Sequence, residues 1–118
     1  MTRNRFENLA LKALENLPEE FRARLDNVEI VIEDEPTLDD LESVGLTEDD
    51  LLLGLYQGTP LTQRTSDYNL ALPDRIVLFQ WDIEQCCETE EEIAEEVRKT
   101  VIHEIAHFFG LEEDELPF

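Results

Sequence analysis

The chain has 118 residues, of which 42% are hydrophobic, a length and composition that predict one globular domain over residues 1–118. Thirty acidic residues against nine basic ones give a formal net charge of -21. This charge argues against binding to nucleic acid and to anionic membranes, and favours cations and basic peptides as partners. A solvated surface tuned for solubility is its simplest explanation.

The sequence also predicts a cytoplasmic location. It contains no apolar run long enough to span a bilayer. The N-terminal segment MTRNRFENLALKALENL has no uninterrupted apolar stretch and no cleavage site, so it is not a signal peptide. Cys86 and Cys87 are adjacent, too close for ordinary disulfide geometry, which predicts reduced thiols.

The hydrophobic pattern divides the chain into helices, strands and connecting segments. The first half predicts a helix over Arg3 to Asn16, a short turn through Phe21 and Leu25, a strand over Val28 to Glu33, a helix beginning near Pro36 within Glu35 to Val44, a turn from Thr47, and a strand or helix over Leu51 to Gln57. The second half predicts a loop over Gly58 to Asp74, a strand over Arg75 to Gln80, a turn or short helix over Trp81 to Thr89, a helix over Glu90 to Phe109, and an acidic tail over Leu111 to Phe118.

The last helix has clear signals at both ends. Thr89 and Glu92 form a capping-box pattern at its start. Gly110 predicts its end, because glycine adopts the left-handed conformation that closes many helices.

This helix carries the chain's only two histidines, His103 and His107, in the pattern H-E-x-x-H. Residues four apart lie on the same face of a helix, where two imidazoles can bind one Zn²⁺. The acid between them, Glu104, is placed to act as a general base on a water molecule.

A helical wheel supports this interpretation. With Ile93 at 0° and about 100° per residue, His103 and His107 fall near 280° and 320°, outside the apolar arc that runs from about 0° to 180°. Glu104 falls near 20°. The histidines are therefore expected to line a cleft, although two solvated surface histidines would show the same placement.

A catalytic zinc site needs a third protein ligand. With no further histidine, that ligand must be an acid beyond Gly110. The spacing H-E-x-x-H-x-x-G-x-x favours Glu113, with Asp114 and Glu112 as alternatives.

Three segments resemble the small bacterial zincin-like metallopeptidases, which are described as minimal matrix-metalloprotease-like domains. They are LLGLYQGTPLT (Leu52 to Thr62), LPDRIVLFQ (Leu72 to Gln80) and VIHEIAHFFGLEEDEL (Val101 to Leu116). The resemblance implies an α+β fold, a single zincin domain in which a small mixed sheet packs against the H-E-x-x-H helix. It also implies His103, His107 and Glu113 as zinc ligands.

The sequence therefore predicts a zinc peptidase in which Glu104 is the general base and the substrate is a peptide or protein. Arg75 to Gln80 is a candidate edge strand for aligning an extended peptide. Tyr56 and Tyr68 are candidates for holding the oxyanion, but packing or surface roles suit single tyrosines better.

The alternative is a non-catalytic metal-binding or protein-interaction domain that keeps the same helix. The absence of a Met-turn favours this alternative, since Met1 is the only methionine. The presence of Glu104 argues against it, because a structural site needs no base. Nothing in the residues indicates an oligomeric state.

Overall fold

The computed structural model describes residues 1–25, 28–58 and 74–116, and residue 113 by its backbone alone. Helices and strands mix as the α+β prediction requires. The helices are α1 (Arg3–Glu15), α2 (Glu19–Arg22), α3 (Leu38–Ser43), α4 (Gln80–Gln85) and α5 (Glu90–Phe109), with 3₁₀ turns at Ala23–Leu25 and Glu113–Glu115. The strands are β1 (Val28–Glu33), β2 (Gly54–Gln57) and β3 (Asp74–Phe79).

The three strands form a mixed sheet in the order β1-β3-β2. Strand β1 runs parallel to β3, and β2 runs antiparallel to it. The prediction that Arg75 to Gln80 is an edge strand is therefore wrong, because β3 is the central strand and β2 is at the edge. Its apolar run from Ile76 to Phe79 is fully buried, as expected for a strand covered on both faces.

Helix α5 covers one face of the sheet and α1 packs beside it. Ile76 and Leu78 of β3, two positions apart and so on one face, join the main core cluster with Phe6 of α1 and with Val97 and Val101 of α5. This packing fixes α5 against β2 and β3, so the side chains at the edge of its packed face meet the edge strand.

The predicted bounds of α5 and its end at Gly110 are confirmed, but its N-terminal cap differs slightly from the prediction. The Thr89 hydroxyl accepts a hydrogen bond from the Glu92 backbone N–H, as predicted, whereas the Glu92 carboxylate accepts from Glu88 instead of Thr89. At the other end Gly110 has φ 70°, and the N–H groups of Gly110 and Leu111 donate to the carbonyls of His107 and Ala106. These bonds form a Schellman motif, which turns the chain sharply after the helix.

Strand β1 has its predicted bounds, and several other elements shift by a few residues. Leu51 to Gln57 is a strand only over Gly54–Gln57. Gln80 was predicted to end a strand but begins α4. Helix α3 starts after Thr37, which caps it, and not at Pro36.

Most of the predicted loop, residues 59–73, lies outside the described residues. Both cysteines are free thiols. Among the helices that the structure describes, none has the length and apolar character needed to cross a bilayer.

Candidate metal centre

His103 and His107 project from the last turns of α5 with their side chains 51% and 52% exposed. Their ring centroids are 4.7 Å apart and the rings meet edge to face at 62°. The wheel's prediction that both histidines lie off the packed face is confirmed. Two imidazoles thus stand side by side at the protein surface.

Glu104 lies behind them, with its side chain only 5% exposed. Its Oε1 atom is 3.3 Å from His107 Nδ1, and its Oε2 atom is 3.8 Å from His103 Nε2. The backbone N–H of Tyr56, on β2, donates a hydrogen bond to the same carboxylate. The edge strand therefore helps to hold the carboxylate in place.

Burial raises the pKa of Glu104 above its ordinary value of 4.5, since a buried carboxylate loses its hydration when it ionises. The charges of His107 and His103 and the hydrogen bonds from Tyr56 and His107 act in the opposite direction. Burial outweighs them, so Glu104 holds its proton more strongly than a glutamate in water.

The close approach of β2 to α5 depends on Gly54. A Cβ atom at this position would lie 2.6 Å from Cγ2 of Thr100 and 3.2 Å from the carbonyl oxygen of Val77. Only glycine allows the strand to lie this near to the helix. Sequence reasoning missed the role of Gly54, although a glycine inside a predicted strand is a known signal of close backbone approach.

Tyr56 is a packing residue in this arrangement. Its ring lies 6.1 Å from that of Phe108, and its hydroxyl donates to the buried carboxylate of Asp74. The hydroxyl is thus engaged with Asp74. Tyr68, the other candidate for the oxyanion, lies outside the described residues.

The two imidazoles suit a zinc ion, with the Glu104 carboxylate close beside them. One ligand atom each from His103, Glu104 and His107 all lie within 4.8 Å of one another. Ligands about 2.0–2.2 Å from a zinc ion lie roughly 3–4 Å apart, so small rotations of the exposed imidazoles bring them to binding distance. Nitrogen with carboxylate oxygen is also a donor set that zinc accepts.

The segment after Gly110 supplies the candidates for a third ligand. Glu112 and Asp114 line a cavity of about 270 Å³ together with both histidines. The backbone of Glu113 lies in the 3₁₀ turn, but its side chain is outside the described atoms. Its place as the first candidate for the third ligand therefore stays a prediction. Glu115 is engaged in the turn itself, since its Oε1 atom accepts from the Glu112 N–H at 3.0 Å.

A second cavity, of about 310 Å³, lies between β2 and α5. Leu52, Leu53 and Gly54 line one side of it. The other side is α5, including Lys99, His103 and Glu104. His103 therefore borders a cleft that runs along the start of the edge strand.

Comparison with known proteins points in the same direction. The family model described as zincin-like metallopeptidase matches residues 25–117. A solved structure, a conserved hypothetical protein from Thermus thermophilus, is similar over 92% of this chain and 94% of its own, with a TM-score of 0.61 and 23% sequence identity. That likeness shows a shared fold. No curated protein matches the chain significantly.

Proposed function

Because the chain belongs to the zincin-like metallopeptidase family, we propose that it is a zinc-dependent peptidase that uses Glu104 as its general base. His103 and His107 are the proposed metal ligands, with an acid of residues 112–114 as the third. The observation that carries the proposal is the buried Glu104 carboxylate, 3.3 Å from His107 Nδ1 and behind two half-exposed imidazoles. A purely structural zinc site has no use for such a base and is usually closed by four protein ligands.

Zinc, when bound, supplies a Lewis acid that polarises the scissile carbonyl and acidifies a water molecule. Glu104 accepts the proton of the attacking water and delivers it to the nitrogen of the leaving amine. Its raised pKa suits this task, because a base works best when its pKa approaches the working pH. The hydrogen bond from Tyr56 limits the movement of the carboxylate between the two proton transfers.

The proposed substrate is an extended segment of a cytoplasmic peptide or protein. In the described part of the sheet, β2 pairs with β3 on one side only. The other edge of β2 is therefore the place where we propose that a substrate strand aligns by β-addition, a role first assigned to β3 from the sequence. The 310 Å³ cavity beside His103 would then accept one substrate side chain.

The proposal is tested by comparing the wild type with Glu104→Gln. Zinc content is measured by mass spectrometry of the metal, and hydrolysis is measured on a mixed peptide library. We expect Glu104→Gln to keep zinc and to lose activity by about 10²–10⁴-fold, the range for a general base. His103→Ala and His107→Ala should instead lose the metal.

Other outcomes have clear meanings. Zinc without hydrolysis in the wild type would favour the non-catalytic metal-binding domain, and a wild type without zinc would refute the metal site. Glu112→Gln, Glu113→Gln and Asp114→Asn, measured one at a time, identify the third ligand by the largest loss of zinc affinity.

A further inference from the structure

A separate concave surface, of about 520 Å³, lies between α3, the turn at residues 47–50 and the start of α4. We name it the Trp81 groove, after the aromatic side chain on one of its walls. Leu38 and Leu51 line it together with Trp81. Neither histidine lies in it, so its properties are separate from those of the metal centre.

The groove exposes an unusual amount of apolar surface. Leu38 is 56% exposed, Trp81 46% and Leu51 44%. These are three of the five large hydrophobic side chains that the described residues expose. Single exposed side chains are ordinary, but three in one concavity indicate a binding surface.

Most of the other lining residues are acidic. Glu35, Glu48, Asp49 and Asp50 lie at the groove with Asp82, and none of the described residues that line it is basic. Carboxylates around an apolar surface select a partner that brings positive charge and hydrophobic side chains together.

The walls of the groove are held by hydrogen bonds to α4 and its neighbours. The carboxylate of buried Asp82 accepts a hydrogen bond from the Leu52 backbone N–H at 2.9 Å. The Trp81 backbone N–H donates to the Asp34 carbonyl at 2.9 Å. Asp50 closes the turn by accepting from the Thr47 N–H at 2.9 Å. A fixed surface loses little conformational entropy when a partner binds.

We propose that the Trp81 groove is a docking site for a short cationic peptide segment with large apolar side chains between lysines or arginines. The apolar side chains cover Leu38, Leu51 and the Trp81 ring, and the cations lie beside Glu35, Glu48 and Asp49. A cation above the indole face gains a further attraction from the ring. The inference does not rest on the proposed peptidase activity.

The experiment uses the intrinsic fluorescence of Trp81, the chain's only tryptophan. The probe is an acetylated and amidated heptapeptide of alternating lysine and leucine, titrated into the full chain and checked for integrity by mass spectrometry. We expect a saturable blue shift of the emission. Leu38→Ala and the pair Glu48→Gln with Asp49→Asn should each weaken binding about fivefold or more.

Matched controls separate the groove from the general negative charge. Leu11→Ala removes another exposed leucine, 42% exposed on α1. Glu7→Gln with Glu15→Gln removes two exposed charges from that helix. Both controls should bind the probe as the wild type does.

Equal weakening in the controls and the groove variants would overturn the proposal, because binding would then be diffuse. So would equal binding of a lysine–serine heptapeptide, since the apolar part would be irrelevant. A blue shift with phosphatidylcholine vesicles but not with the probe would assign the groove to lipid. A shift that depends on protein concentration alone would assign it to a second copy of the chain.

Discussion

At the scale of single residues, Glu104 is a side chain whose burial costs the fold stability. Its side chain is 5% exposed, and burial of a charged group is unfavourable unless partners replace its water. His107 and the Tyr56 N–H are such partners, yet the pKa of Glu104 remains raised. A side chain kept at this cost is more useful to a reaction than to stability.

We therefore expect Glu104→Gln to be more stable than the wild type at neutral pH in metal-free protein. The raised pKa means that the folded state keeps a proton that the unfolded chain has already lost. Wild-type stability thus falls as the pH rises from the ordinary value of 4.5 through the raised pKa. Glutamine has no such proton, so its advantage should grow across that window and then stay constant.

Urea unfolding at pH 4–8 with EDTA measures this difference. The exposed Glu7→Gln on α1 serves as the control and should show no comparable trend. The opposite result, a wild type that gains stability over Glu104→Gln as the pH rises, would contradict this expectation. It would show that the favourable contacts with His107 and Tyr56 outweigh the cost of burial.

The sequence predicted much of this candidate site, but it did not predict how deeply Glu104 is buried. The spacing of His103 and His107 placed them together and off the packed face, because helical geometry fixes both properties. The wheel angle of Glu104, about 20° and within the apolar arc, was a usable sign of burial. Its hydrogen bond to Tyr56 was not predictable, since it requires knowledge of which strand packs against α5.

At the scale of elements, the prediction was better for helices and strands than for their pairing. The bounds of β1 and α5 are as predicted, because each has a clear period and, for α5, a cap at both ends. The prediction that β3 lies at the edge of the sheet was wrong. Its uninterrupted apolar run is typical of a central strand. Its pairing partners, however, lie elsewhere in the sequence, and no local pattern identifies them.

Gly54→Ala tests how closely β2 must approach α5. We expect it to destabilise the protein by about 1–3 kcal/mol, the usual cost of overpacking. The new methyl group meets Cγ2 of Thr100 at 2.6 Å, and Thr100 is buried with a stiff β-branched side chain. Urea unfolding measures the loss, and zinc affinity shows whether the displaced strand disturbs the metal centre.

Adding Thr100→Ser to Gly54→Ala gives a double variant that serves as the control. It removes Cγ2 but keeps the hydroxyl, which donates to the Glu96 carbonyl at 2.8 Å. We expect the double variant to recover part of the lost stability, since the 3.2 Å contact with the Val77 carbonyl remains. A single Gly54→Ala variant as stable as the wild type would show that the strand can move without cost.

At the scale of the whole molecule, the charge is the dominant property. Thirty acids and nine bases leave 21 negative charges without a basic counterpart. The ion pairs of Arg3 with Asp34 and of Arg98 with Glu95 are exposed and contribute little. Repulsion among the surplus carboxylates therefore opposes the compact state.

Salt should consequently stabilise this protein. Raising NaCl from about 20 mM to 500 mM shortens the Debye length from roughly 20 Å to 4 Å and screens repulsion and attraction alike. Repulsion is the larger sum here, so we expect a gain on the order of 1 kcal/mol, or about 4 °C in Tm. Thermal unfolding by circular dichroism in EDTA measures this shift without interference from bound metal.

A variant with fewer charges distinguishes this explanation from a general effect of salt on apolar surface. Six exposed acids can be replaced by glutamine, which changes the net charge from -21 to -15; they are Glu7, Glu15, Glu19, Glu20, Glu42 and Glu91. The variant should melt higher than the wild type at low salt and respond less to NaCl, because less repulsion remains to be screened. An equal response in both proteins would attribute the stabilisation to apolar burial, and a Tm that falls with salt would show that the few ion pairs dominate.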